Sequence, residues 1–208
     1  MSILSKLASA LNRKDEVPNQ ELAKQLSAKS DKRAIQELVD NLHNKSKAVQ
    51  GDCIKVLYEI GERKPQLIAE YVKEFIGLLD SKNNRLQWGA MTALSGIVLE
   101  TPKIVTAALP KIISISNKGS VITKDHAVHI LIKLSSIKPY RETAFPLLIK
   151  ELIKSPTNQL PMYAEKSVPI INDKNKRLFI KTLSSRLIDI EKDTKRKRVE
   201  KIIGKFSE

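Results

Sequence analysis

The chain has 208 residues, with 37 Lys and Arg against 23 Asp and Glu for a net charge of +14; 29% of it is charged, 41% hydrophobic and 4% aromatic. That is the composition of a soluble helical protein able to bury a sizeable core, and its single cysteine excludes an internal disulfide. No apolar stretch approaches the roughly 20 residues that cross a bilayer, so no membrane contact is expected and the default setting is reducing and cytoplasmic.

The opening MSILSKLASALNRK has no long hydrophobic core and no clear processing site, and reads as native structure rather than a leader. Residues 2–11 are expected to form a short helix with Ile3, Leu4, Leu7, Ala8 and Leu11 on one side. After a polar turn, Pro18 suits the first turn of a second helix, in which Leu22 and Leu26 share a face. Asp31 is placed to cap a third, with Ala34, Ile35, Leu38, Val39 and Leu42 as its apolar positions.

From there helices alternate. Outer helices are expected over 32–43, 65–79, 102–116 and 139–154, and inner helices over 48–61, 85–99, 122–135 and 160–171, the last distorted by Pro161 and Pro169. The links DSKNN, SNKGS and KSPTN are short and polar, as antiparallel neighbours require. The inner segments recur every 37 residues: KAVQGDCIKVLYEIGERKP from Lys47, NRLQWGAMTALSGIVLETP from Asn84, VITKDHAVHILIKLSSIKP from Val121 and NQLPMYAEKSVPIINDKNK from Asn158. Cys53, Ala90, Ala127 and Ala164 form one column; Leu57, Leu94, Leu131 and Val168 a second; Ile60, Ile97, Leu134 and Ile171 a third. Spacings of four and three put all three on one helix face, and the small column implies close helix approach. Cys53 in that column reads as a buried packing residue. Pro65, Pro102 and Pro139 close the first three segments, where a missing N–H does least harm; Lys176 breaks that column. Residues 176–190 form a further helix with Leu178, Phe179, Leu183, Leu187 and Ile190 on one face. The KRKR run Lys195, Arg196, Lys197 and Arg198 follows, and the last 35 residues hold +7 of the net charge.

These helix pairs resemble the HEAT/armadillo-like helical repeat family over about residues 31–171. The resemblance implies an all-α, right-handed α-α superhelix of about four 37-residue helix pairs with N- and C-terminal capping helices. It further implies one domain: an N-terminal cap (1–30), repeats (31–173), and a C-terminal cap helix with basic tail (174–208). Such proteins mostly bind other macromolecules along their inner, concave helices, and no cofactor is implied. The family's usual Asp and Arg ladder is poorly kept, although Arg85 and Lys124 stand near the start of two inner helices.

Helical geometry puts the columns Gly51, Trp88, Asp125, Met162 and Lys55, Thr92, His129, Lys166 opposite the core, with Arg85 and Tyr58 as neighbours. The expected binding residues are therefore Lys55, Tyr58, Arg85, Trp88, Asp125, His129 and Lys166. Trp88, the sole tryptophan, has Gly, Asp and Met as repeat-equivalents. It either anchors a partner or packs into a local gap. Asp125 and His129 are spaced to face each other, yet no second ligand at metal spacing accompanies them, so a surface pair is expected, with no catalytic residue and no metal. The reading is a non-enzymatic protein-interaction scaffold whose partner is another protein. The alternative is DNA or RNA binding through Lys124 and Lys195 to Arg198. At its catalytic extreme stand the HEAT-like alkylpurine DNA glycosylases, which line a basic groove with an aspartate and tryptophans. Trp88, Asp125 and Arg85 match that only in part, because Thr92 stands one turn after Trp88 and a second tryptophan is missing. No nucleotide-binding, nucleophile-elbow or zincin motif occurs.

Overall fold

The computed structural model describes residues 2–206, which contain helices and no strand. They form two compact units, Met1–Ala127 and Val128–Glu208. The first holds a 3₁₀ turn (Ile3–Lys6), α1 (Val17–Lys29), α2 (Lys32–Asp40), α3 (Lys47–Arg63), α4 (Val72–Leu78), α5 (Asn84–Ile97), α6 (Pro102–Ala107) and α7 (Leu109–Lys118). Helix α8 (Val121–Ser136) begins there and ends in the second unit, which adds α9 (Lys138–Lys154), α10 (Leu160–Ser167), α11 (Lys176–Arg186) and α12 (Asp193–Lys205).

The inner helices fall where the 37-residue columns put them. Cys53, Ala90, Ala127 and Ala164 are all buried, as are Leu57, Leu94 and Leu131, and Ile60, Ile97 and Leu134. The fourth copy slips at its end. Helix α10 stops at Ser167, and a 3₁₀ turn through Pro169 rotates Ile170 into the core in place of Ile171.

Elsewhere local chemistry departs from the simple helix pair. The expected helix over 2–11 shortens to one 3₁₀ turn. The Glu37 carboxylate accepts from Ile3 N–H at 3.2 Å, and the chain then turns away through Asn12 at φ 54°. The outer helix expected over 102–116 is two helices, α6 and α7, because Pro110 cannot continue the first and suits the opening turn of the second. The one expected over 65–79 breaks likewise into 3₁₀ turns and α4. In α9, by contrast, the helix runs through Pro146. Asp31 caps α2, accepting from Ala34 N–H at 3.0 Å.

In the first unit α3 is the centre. It packs against α1, α2 and α5, and residues 51–61 are buried without a break. Close approach to α5 rests on glycine. A methyl group placed on Gly96 would lie 3.2 Å from the carbonyl carbon and oxygen of Gly61, and one on Gly89 would lie 2.7 Å from Ile54 Cγ1. In the second unit α11 packs on α9, and α12 packs on α10 and α11, burying Phe179, Leu183, Val199 and Ile202. The segment after Asp173 therefore forms two packed helices, α11 and α12, and the KRKR run lies on the second. Arg186 ties the segment down, donating to the terminal carbonyls of α9 at Leu152 (2.9 Å), Ile153 and Ser155 (3.1 Å). Those are the carbonyls that a helix end leaves without partners.

Two glycine substitutions are expected to act with opposite sign. Gly96→Leu forces α3 and α5 apart and costs about 1–3 kcal/mol of stability. Gly77→Ala, on α4 with open space around the new methyl, adds about 0.4–1 kcal/mol by restricting the unfolded chain. Urea denaturation of both variants against wild type checks the pair.

Candidate functional site

Two of the expected surface residues are not at the surface. Lys55 and Tyr58 are each 8% exposed, because α1 lies along the side of α3 that sequence periodicity left open. Burying Lys55 requires partners, and they are present. Its ammonium is 2.8 Å from Glu59 Oε1, 4.0 Å from Glu16 and 4.8 Å from the centre of the Tyr58 ring. Glu59 also accepts from Arg63 at 2.5 Å. Burial alone would lower the Lys55 pKa and raise that of Glu59. Their mutual hydrogen bond, with Arg63 adding to it at Glu59, reverses both, so Lys55 titrates above the usual lysine range and Glu59 below the ordinary 4.5. Burial, with Asp52 and Glu37 adding to it, pushes the neighbouring Cys53 thiol up to about 12 and leaves it neutral.

A second polar group locks the opening segment onto α3. Asp52 accepts from Ser9 N–H and from Asn19 Nδ2, both at 2.8 Å, and Asn19 in turn accepts from Ala8 N–H at 3.0 Å. Arg85 donates to Glu16 at 2.5 Å and lies 3.8 Å from Asp52. Its side chain is still 39% exposed. Trp88, one turn further along α5, is half-buried; its ring is tilted 53° against Tyr58 with centroids 5.7 Å apart. Trp88 thus packs on a neighbouring inner helix and keeps part of its ring open to solvent.

The remaining expected residues stand on other helices. Lys124 and Asp125 are half-buried in the first turns of α8. Within the second unit, Lys166 Nζ on α10 and His129 Nε2 on α8 meet at 2.7 Å. The KRKR run is anchored. Lys195 reaches Asn158 Oδ1, Arg196 donates to the Ile190 carbonyl at 2.8 Å, and Lys197 pairs with Asp193 at 3.0 Å. Arg198 holds Glu165 in a two-point pair at 2.7 and 2.6 Å, which keeps that carboxyl below the usual range. No group of three His, Cys, Asp or Glu that could hold a metal lies among the described residues, and none of their helices is long and apolar enough to cross a membrane.

Glu16, Asn19 and Asp52 were not singled out by sequence. The signal was available: Asn19 to Asp52 and Asp52 to Arg85 are each 33 residues apart, close to one repeat.

Neither a protein-family model nor any curated protein matches the chain. Solved structures do. A designed armadillo repeat protein in complex with a (KR)4 peptide superposes with a TM-score of 0.67 at 17% identity, over 99% of this chain and 100% of that one. A second designed armadillo repeat protein gives 0.63 at 16% identity over 97% and 98%, and an engineered protein gives 0.60 at 20% identity over 98% and 99%. The fold is that of an armadillo-like helical repeat solenoid.

Glu59→Gln is expected to destabilise the protein by about 3 kcal/mol at neutral pH. That is the lower end for orphaning a buried charge, because Glu16 stays 4.0 Å from Lys55. Since Glu59 has a depressed folded pKa, its contribution is complete above the unfolded value near 4.5 and is lost as pH falls through the lower folded one. Denaturation midpoints followed from pH 7 to 3 should therefore fall less steeply in the variant below about pH 4.5.

Proposed function

We propose that this chain is a binding protein, without catalytic activity of its own, that takes a segment of another protein on its inner helices. The observation that carries the reading is Trp88. It has no counterpart in the other repeats, its ring packs against Tyr58, and the residue remains partly exposed beside the half-exposed Arg85. A preorganised aromatic next to a guanidinium is the composition of an interface anchor. His129 and Lys166 form a separate candidate pair within the second unit. Asp125 and Lys124 extend the candidate set on α8.

The solenoid fold supports this reading, as does a designed protein of that fold holding a (KR)4 peptide. A net charge of +14 favours a partner segment of the opposite sign, with a carboxylate on Arg85 where Glu16 now sits and an apolar side chain against Trp88. The nucleic-acid reading rests on that same net charge. It is the weaker of the two because each cation of the KRKR run already has a partner within the second unit.

Peptides selected on the wild-type protein from a random display library test the proposal. Expected are acidic sequences with an aromatic or large aliphatic residue, micromolar affinity, and a change in the emission of the sole tryptophan. Trp88→Ala and Arg85→Ala should each weaken binding about tenfold, about 1.4 kcal/mol. Selected peptides that bind Trp88→Ala unchanged would refute it. Micromolar binding of duplex DNA that falls steeply with salt and depends on Arg85 and Lys124 would install the nucleic-acid reading instead.

A further inference from the structure

The geometry points to a second docking site, away from the inner helices: a groove between α9 and α11 in the second unit that takes an acidic protein segment bearing one large apolar side chain. The groove has a volume of about 270 Å³. That exceeds the roughly 150 Å³ cavity that accepts benzene, so a leucine- or phenylalanine-sized side chain fits with room for its backbone. Its apolar lining is Phe145, Pro146 and Leu178. Leu178, expected on the apolar face of its helix, is instead 47% exposed on α11, while its neighbour Phe179 serves the core.

The rim is cationic. Lys138, Arg141 and Lys174 border the groove, and Glu142 is the one carboxylate among its lining residues. Arg141 is held in place by donating to the Ser135 carbonyl at 2.9 Å. Both helices begin at this rim, neither has an acidic residue in its first turn, and neither N-cap side chain caps its own helix, Asn175 Oδ1 accepting instead from Asn172 N–H at 2.7 Å. Their amino-terminal dipoles therefore add to the positive field of the three side chains.

Charge complementarity selects the occupant. The second unit carries eighteen Lys and Arg against nine Asp and Glu, +9 in 81 residues. Carboxylates are the matching groups, and the apolar lining demands a hydrophobic anchor between them. A nucleic acid matches the rim but not the lining, since Phe145 is only 7% exposed and presents no open ring for a base to stack on.

A fluorescein-labelled peptide of about twelve residues, Asp and Glu flanking a central Leu-Phe pair, serves as the probe in anisotropy titrations with the full chain. Expected is binding at tens of micromolar, weakened at least tenfold when Leu-Phe becomes Ser-Ser and in the exposed variants Leu178→Ser and Lys138→Glu/Lys174→Glu. Repeating the titrations in a Trp88→Ala/Arg85→Ala background removes the site on α5, so binding that persists there and is lost in the groove variants belongs to this groove. Equal affinity for the Ser-Ser peptide, or indifference to the groove variants, overturns the proposal. Tighter binding of a single-stranded oligonucleotide of equal charge, lost in the same variants, overturns it in favour of a nucleic acid.

Discussion

The first unit depends on bringing α3 and α5 close enough for their backbones to touch at Gly61 and Gly96. With side chains there, the Ile60 and Ile97 layer could not close and the ladder of small residues at Cys53 and Ala90 would open. Close approach has an electrostatic consequence. Once α1, α2 and α5 surround α3, its polar side chains lose water, and Asp52, Lys55 and Glu59 survive only with bonded partners. The Asn19, Ser9, Glu16 and Arg63 contacts are thus consequences of the packing, because an unpaired buried charge would cost several kcal/mol.

The same logic changes how the basic composition is read. Many of the cations are structural groups. Arg186 completes the carboxyl end of α9, Arg196 satisfies the Ile190 carbonyl, and Arg198 clamps α12 to Glu165 on α10. Guanidinium suits these tasks because one group can serve two or three acceptors in a fixed plane. The cations at the α9–α11 groove and beside Trp88 are the ones the two proposed sites would use.

The architecture was legible in the sequence because a repeat imposes the same apolar columns several times over. Three inner helices keep all three columns, and only the proline-bearing fourth slips. The breaks in the outer helices were less legible, although Pro110 marks one of them plainly. The candidate site was read only in part. Periodicity tells which side of α3 is apolar, but Asp52, Lys55 and Glu59, spaced three and four apart, look like a solvated face. Their burial follows from contacts about one repeat away in sequence, with Asn19 and Arg85, and from α1, whose position no local pattern encodes. Trp88 was visible as an anomaly of composition; that it both packs and stays open required coordinates.

The central claim is that α1 and α3 form one sealed body, leaving Arg85 and Trp88 as the open part of the first unit's inner surface. Native-state hydrogen exchange tests it most directly. The account predicts that amides of α1 and of residues 51–61 exchange together, slowly, and only through unfolding of the whole unit. Exchange of α1 by orders of magnitude faster than α3 would contradict it. In that case α1 is a loose cover, and Lys55 and Tyr58 belong to the open surface after all.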